Sequence, residues 1–375
     1  MIYLDYSANT PVDARVLEQF CAVERRCIGN ANSHHQAGSA AKAEIDAATI
    51  KIASLLGVQP AEIIYTSGAS EANNFALKGL ARLSRHAGRH IISTPLEHSS
   101  VSGTLTALQE QGYEIDLLDV KQDGTVDLEH LKDLLRPDTI CVAVTLVDSE
   151  LGVVQPVQEI AAILKAYPHC HLHVDATQAV GKIPVSFEGV DTMSLTAHKF
   201  YGLNGIGLLI KRRNLALEPL IHGGESTTIY RSGTPTVALA SSLACALDLA
   251  VIDLPGRVDH VAKLNAELRA ALSTYPLVRI NSPDHAIPHV LNLSVRNVKG
   301  TVFQRELDAK GVCVSVKSAC SSDGLPSRAV FAVSRDRRNA LSSWRISLSH
   351  LTTEDEIKAF LQAFDVCYRE LTAVH

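Results

Sequence analysis

The 375-residue chain has no long apolar run, no excess of basic residues and no CxxC pair. Each absence removes a class of function. The Ala-rich stretch from Val237 to Ile252 is broken by Asp248, so no segment has the length and apolarity needed to span a bilayer. Lys and Arg total 35 against 40 Asp and Glu, and the net charge of −5 leaves no electrostatic footprint for a direct nucleic-acid binder or an anionic membrane surface. Met1-Ile2-Tyr3-Leu4-Asp5-Tyr6 lacks the basic and apolar regions of a secretory signal. The eight cysteines are scattered, which in a chain of this length points to a reducing, cytoplasmic compartment where a thiol is packed or reactive, not bridged. Internal repeats and long Gly/Ser linkers are also missing. The sequence reads as a soluble protein of two closely packed domains.

What is present is an α/β rhythm. Short apolar runs at Glu62–Tyr65, His90–Ser93, Glu114–Leu118, Ile140–Val147, His171–Val174, Thr192–Leu195 and Ile206–Ile210 predict seven strands. Between them, helical periodicity covers Ala41–Leu56, Glu71–Arg85, Ser99–Gln111, Leu128–Leu135 and Val157–Ala166, the alternation expected of a mostly parallel sheet covered by helices. The rhythm changes at Leu254-Pro255-Gly256. A helix over Val261–Ser273, strands at Val278–Asn281 and Val290–Val295, a helix at Val302–Ala309 and a closing helix capped by Thr353-Glu354-Asp355-Glu356 follow, so a smaller α+β domain is expected there. A domain boundary is placed there.

Three strand ends carry chemistry. Thr66-Ser67-Gly68-Ala69-Ser70-Glu71 is a small polar turn opening a helix, whose free N–H groups suit a phosphate. His173-Val174-Asp175 ends an apolar strand in a carboxylate, which at the carboxyl edge of a parallel sheet faces the ligand crevice and can hold a protonated ring nitrogen. Ser194-Leu195-Thr196-Ala197-His198-Lys199 ends another strand in a lysine beside small residues, a setting for a Schiff-base former. Together these are the parts that a pyridoxal 5'-phosphate enzyme needs.

Those motifs, with Ile2-Tyr3-Leu4-Asp5-Tyr6-Ser7-Ala8, Glu97-His98, Arg231-Ser232-Gly233-Thr234, Ser318-Ala319-Cys320 and Arg345, resemble in order and spacing the NifS/IscS-type cysteine desulfurases of the class V aminotransferase family. The resemblance implies a fold-type I pyridoxal-phosphate transferase, with a large domain of residues 14–254 and a small domain formed by residues 1–13 and 255–375. It implies that Lys199 carries the cofactor, that Asp175 keeps the pyridine nitrogen protonated, and that Gln178 bonds the ring phenolate oxygen. His98 would stack on the ring and shuttle protons. Ala69, Ser70, Thr196 and His198 would hold the phosphate, with Thr234 reaching in from the second subunit of a homodimer. Arg345 would clamp the α-carboxylate of L-cysteine, and Cys320 would take the substrate sulfur as a persulfide and pass it to an acceptor protein serving iron–sulfur or tRNA-thiolation pathways.

The chain departs from the family pattern in places. Asp148-Ser149-Glu150 stands where an Asn-Asn-Glu triplet is usual, so Ser149 replaces an asparagine that would contact cofactor or substrate, and His222-Gly223-Gly224-Glu225-Ser226-Thr227 alters a glycine-rich loop. These changes bear on substrate choice and on the sulfur acceptor. A selenocysteine lyase or cysteine-conjugate β-lyase would use the same apparatus, and a non-catalytic scaffold would keep the cofactor site alone. His169-Cys170-His171-Leu172-His173 contains ligand-type residues, but no second cluster accompanies it and no metal site is expected. Lys211-Arg212-Arg213 and Arg335-Asp336-Arg337-Arg338 read as solvated charge runs, the second with the option of an acidic partner.

Overall fold

The computed structural model describes residues 1–224, 226–317 and 325–373. The chain opens with a short strand, β1 (Ile2–Tyr3). It then builds one large sheet from β2 (Ile63–Thr66), β3 (His90–Ser93), β4 (Glu114–Leu117), β5 (Thr139–Thr145), β6 (His171–Asp175), β7 (Thr192–Thr196) and β8 (Gly207–Lys211). The spatial order is β2-β8-β7-β6-β5-β3-β4. Strands β3 to β7 are parallel, and β8 runs antiparallel to both of its neighbours. Every residue of β2, β3, β5, β7 and β8 is buried, which explains why these segments read as unbroken apolar runs; only the edge strand β4 exposes residues at both ends.

Helices cover both faces. Ala69–Leu83 lays Phe75, Leu77 and Leu80 against Ile64, Ile91 and Leu209 on one face. Gln36–Leu56, Val157–Leu164 and Val237–Val251 bury Ile45, Ile160 and Leu243 with Val144, Val174 and Leu195 on the other. Because β8 is reversed, its first residue, Gly207, pairs with both Thr66 and Thr196. The ends of β2, β6 and β7 therefore meet at one edge of the sheet.

A second core forms beyond residue 254. There β9 (Val278–Ile280), β10 (Val290–Val295), β11 (Val312–Cys313) and β12 (Ser343–Ser347) appear, with β12-β10-β9 making an antiparallel sheet. Helices Leu254–Leu272, Gly300–Ala309 and Glu354–Thr372 pack on it around Phe303, Trp344, Phe360 and Phe364. The capping box expected at Thr353 and Glu356 is present. Strand β1 joins this core: it pairs in parallel with β11, and Leu4 is fully buried among its apolar residues.

Several boundaries differ from the sequence-based expectation, each for a local reason. The β5 run stops at Thr145, not Val147, because the Asp148 carboxylate accepts the Leu151 N–H and turns the chain back so that Val147 bridges Val154. The helix expected from Val261 begins at Leu254, with Leu254-Pro255-Gly256 as its first turn: proline fits there because its missing N–H has no helical partner to lose. That helix meets Val237–Val251 at 66°. Helix Gln36–Leu56 starts ahead of Ala41 since the His35 ring caps the Gly38 N–H. Helix Ala14–Arg26, strand β12 and the short helices Arg328–Ser334 and Arg337–Ser342 had no counterpart in the expected element order. Among the described residues no single helix is long and apolar enough to cross a membrane.

The C-terminal core depends on stacked aromatics. Trp344 and Phe303 lie 5.2 Å apart at 13°, and Phe364 contacts both as well as Tyr275 and Tyr368. Phe364→Ala is expected to lower unfolding free energy by about 3–5 kcal/mol through lost transfer energy and an unfilled cavity. Urea denaturation checks this, and a loss under about 1 kcal/mol would show that the core collapses around the gap.

Candidate active site

The converging strand ends enclose a cavity of about 320 Å³, within the range of small-ligand and cofactor sites. It is lined by Ala69, Ser70, His98, Ser149, Asp175, Gln178, Thr196, His198, Lys199 and Arg345, the residues that the motifs single out. Asp175 is buried at the end of β6 and accepts hydrogen bonds from Asn73 Nδ2 at 2.8 Å and from the Thr177 N–H at 2.9 Å. Asn73 is itself held. Its Oδ1 accepts from His173 Nε2 at 3.0 Å and from the Ser194 hydroxyl, so the His173 proton sits on Nε2 and Nδ1 accepts from Thr192. Burial pulls His173 down to about 4, which keeps it neutral in that role.

At the neighbouring strand end, Lys199 Nζ donates to the carbonyls of Ser7 at 2.8 Å and Ala8 at 2.6 Å. The N-terminal segment is sewn to this turn, since Thr10 Oγ1 donates to the His198 carbonyl and accepts the Tyr201 N–H. His198 Nδ1 lies 3.1 Å from Thr196 Oγ1, whose own proton goes to the Ile206 carbonyl, so the ring donates. Burial, then the Lys199 charge, lowers His198 to about 4. Beside them the helix Ala69–Leu83 begins with no side-chain cap, its N-cap being Gly68 at φ +154°. Its first-turn N–H groups face the cavity beside Thr196 and His198. Gly207 must remain a glycine here: a Cβ would lie 2.6 Å from the Leu195 carbonyl and 2.7 Å from Gly68 Cα.

His98 is the N-cap of helix Ser99–Gln109. Nδ1 accepts from the Ser100 N–H at 3.2 Å, which leaves the proton of the neutral ring on Nε2, and burial keeps its pKa below the ordinary value. Behind it sits a group of buried carboxyls. Glu97, whose Oε1 accepts from the Thr94 hydroxyl and the Thr145 N–H, is pushed up to about 8 by burial, while its Oε2 has no partner among the described residues. Burial likewise raises Asp148 to about 7 and lifts Glu150.

Arg345, on β12, is fully buried and bidentate in a particular way. Nη2 donates to Asp5 at 2.9 Å and Nη1 to the Ser149 carbonyl at 2.8 Å, while Nε has no partner among the described residues. The Ser149 contact is made by main chain, so replacing an asparagine at this position leaves that bond intact. Asp5 also accepts from Ser315 Oγ, and Gln178 bridges Lys182 and the Ser7 carbonyl. Thr234 lines a separate cleft with Ser67, Thr227 and Gly233. Cys320 lies outside the described residues. His171 pairs with Asp191, and His173 serves Asn73, so these histidines share no ligand position.

Sequence reasoning missed Asn73, Glu97 as a buried acid, Lys182 and Asp5 as the partner of Arg345. Asn73 had a signal, being a polar residue inside the apolar stripe of Ala72, Phe75 and Ala76. Asp5 had none, because its partner is 340 residues away.

The family model of aminotransferase class-V matches residues 2–360. The cysteine desulfurase IscS of Proteus mirabilis is 40% identical over 365 residues, covering 95% of this chain and 90% of that protein. A solved NifS-like protein superposes with a TM-score of 0.92 at 35% identity over all of both chains. SspA, solved in complex with cysteine, superposes at 0.82 with 30% identity over 94% of this chain and 100% of that one. The chain belongs to the class-V aminotransferase family, among the NifS/IscS-type cysteine desulfurases.

Proposed function

We propose that this chain is a pyridoxal-phosphate-dependent cysteine desulfurase that converts L-cysteine to L-alanine and passes the sulfur to an acceptor. The observation that carries the reading is that Lys199, Asp175 and Arg345 line one cavity. Two buried hydroxyls on its walls, Ser7 Oγ and Thr177 Oγ1, have no partner among the described residues, and the uncapped helix turn at Ala69 and Ser70 offers N–H groups to an anion. Such a donor set fits a phosphorylated pyridine aldehyde. Bound there, the cofactor supplies an electron sink for the substrate α-carbon.

Each residue then has a task. Lys199 Nζ would be the amine that holds the cofactor's aldehyde and the base for the α-proton. Asp175 would hold the ring nitrogen, with Asn73 and Thr177 fixing its two oxygens. Ala69, Ser70, Thr196 and His198 would hold the phosphate, His98, with its proton on Nε2, would stand by the ring, and Gln178 would offer an amide N–H to the ring oxygen. Arg345 takes the substrate carboxylate, exchanging it against Asp5, with Ser149 at its side. The Cys320 thiolate attacks the substrate sulfur; an S–S bond forms, the Cβ–S bond breaks with its electron pair staying on carbon, and protonation releases alanine. Residues 1–13 and 255–375 act as the unit that brings Cys320 and Arg345 to the larger unit, residues 14–254. A homodimer in which Thr234 reaches the partner's phosphate, and a cytoplasmic sulfur-acceptor protein, complete the scheme.

Purified protein incubated with L-cysteine and a reductant should yield alanine and sulfide in equal amounts. Alanine without any persulfide on Cys320 would favour the selenocysteine-lyase alternative, and pyruvate with ammonia and sulfide in place of alanine would favour the β-lyase. Lys199→Ala should lose borohydride-fixable cofactor and slow turnover about a thousandfold. Peptide mapping that finds the reduced cofactor on another lysine would overturn the assignment.

The buried acids generate a pH prediction. Glu97 binds its proton in the folded chain up to about 8 but releases it near the ordinary 4.5 when unfolded, so its contribution to stability falls as pH rises between those values. Glu97→Gln mimics the protonated acid and should become progressively more stable than the parent across that window. Denaturant midpoints compared at its two ends check this, and a constant difference would mean that Glu97 is ionised in the fold.

A further inference from the structure

The cavity wall has a buried lysine behind it that the scheme above does not use. Lys182 follows β6 by one turn, is 6% exposed, and does not line the cavity. Among the described residues no carboxylate lies within 4.0 Å of its Nζ, so it is not half of an ion pair. Its Nζ has one hydrogen bond, to Gln178 Oε1 at 2.6 Å. From there the connection runs on: Gln178 Nε2 donates to the Ser7 carbonyl at 2.9 Å, and the same carbonyl accepts from Lys199 Nζ at 2.8 Å. A lysine ammonium carbons deep in protein is costly, and one placed against a single neutral oxygen calls for a reason.

The chemistry of the amide supplies it. A glutamine side chain is nearly symmetric in shape, and its two ends differ only in whether they donate or accept. An ammonium has N–H donors and no acceptor, so it tolerates only the oxygen end. Reversing the Gln178 amide would bring NH₂ against the ammonium and set its oxygen against the Ser7 carbonyl, two repulsive contacts in place of two bonds. We propose that Lys182 is a positioning residue: it locks the Gln178 amide with its nitrogen toward the Lys199 end of the cavity, so that the wall offers a donor to an anionic ring oxygen. This rests on the cofactor reading above. Burial first, then the charges of Lys199 and Arg345, pull Lys182 down to about 7, so the head group is donor-only and the lock complete below that pH, where the comparison below is made.

The test uses the cofactor-loaded protein. Lys182→Met removes the lock while filling similar space, and Lys182→Arg keeps a donor-only head group. Lys182→Met is expected to load cofactor but to show a displaced visible absorption band, faster cofactor release, and kcat lowered about tenfold with KM for cysteine little changed, because Arg345 is untouched. Lys182→Arg should restore the band. The displacement should also vanish in a Gln178→Leu background, where there is no amide left to orient. A Lys182→Met band and release rate equal to the parent's, or displacements from Lys182→Met and Gln178→Leu that simply add, would overturn the proposal. Should Lys182→Met not accumulate as folded protein, Lys182→Gln, whose amide presents either end, takes its place in the same comparison with Lys182→Arg. A parent protein that binds no cofactor would remove the cofactor reading itself, and this assignment with it.

Discussion

A carboxylate at the end of a buried strand must be surrounded by donors, and much of this site follows from how Asp175 meets that requirement. Its donor Asn73 comes from a helix packed across the sheet, and Asn73 needs acceptor-side partners of its own, which His173 and Ser194 provide. That network ties the first turns of helix Ala69–Leu83 to β6 and β7. The uncapped N–H groups at Ala69 and Ser70 are thereby held at the same sheet edge as Thr196 and Lys199. Only a tight approach permits this, and it is bought by the missing side chains of Gly68 and Gly207.

The other half of the cavity is held by long-range contacts. The segment from Leu4 to Thr10 crosses from the C-terminal core to the large sheet, leaving Asp5 on Arg345 and the Ser7 and Ala8 carbonyls on Lys199. An isolated guanidinium so deeply buried would be strongly unfavourable, and Asp5 with the Ser149 carbonyl compensates it. Those two bonds use two of its five N–H donors, and with Nε unpartnered among the described residues the side chain remains able to receive another anion.

Much of the large sheet was legible because its strands are buried on both faces and separated by helices of clear periodicity. Asp175, Lys199 and the Ala69–Ser70 turn could be picked out because polar residues ending apolar strands are conspicuous. Strand β12 was not, since Ser343, Arg345 and Ser347 break its apolar pattern, and two of them are polar for a tertiary reason: Ser347 bonds the N-terminal segment and Arg345 bonds Asp5. Helix Ala14–Arg26 buries only Val16 and Val23 fully, too thin a stripe to stand out. Lys182 was illegible for a different cause. Its partner Gln178 is one turn away, yet nothing in the local pattern distinguishes a buried lysine from a solvated one.

The crossing of the first strand also sets an order of events during synthesis. Ile2 and Tyr3 have no strand partner until Val312 and Cys313 exist, and the Ser7 N–H waits for the hydroxyl of Ser347. A nascent chain can therefore assemble its large sheet, with Thr10 docked on His198 and Tyr201, while Ile2 to Asp5 remain undocked. The pocket is complete only once Arg345 and Ser347 have been made, so a ribosome carrying a shorter chain holds no finished catalyst.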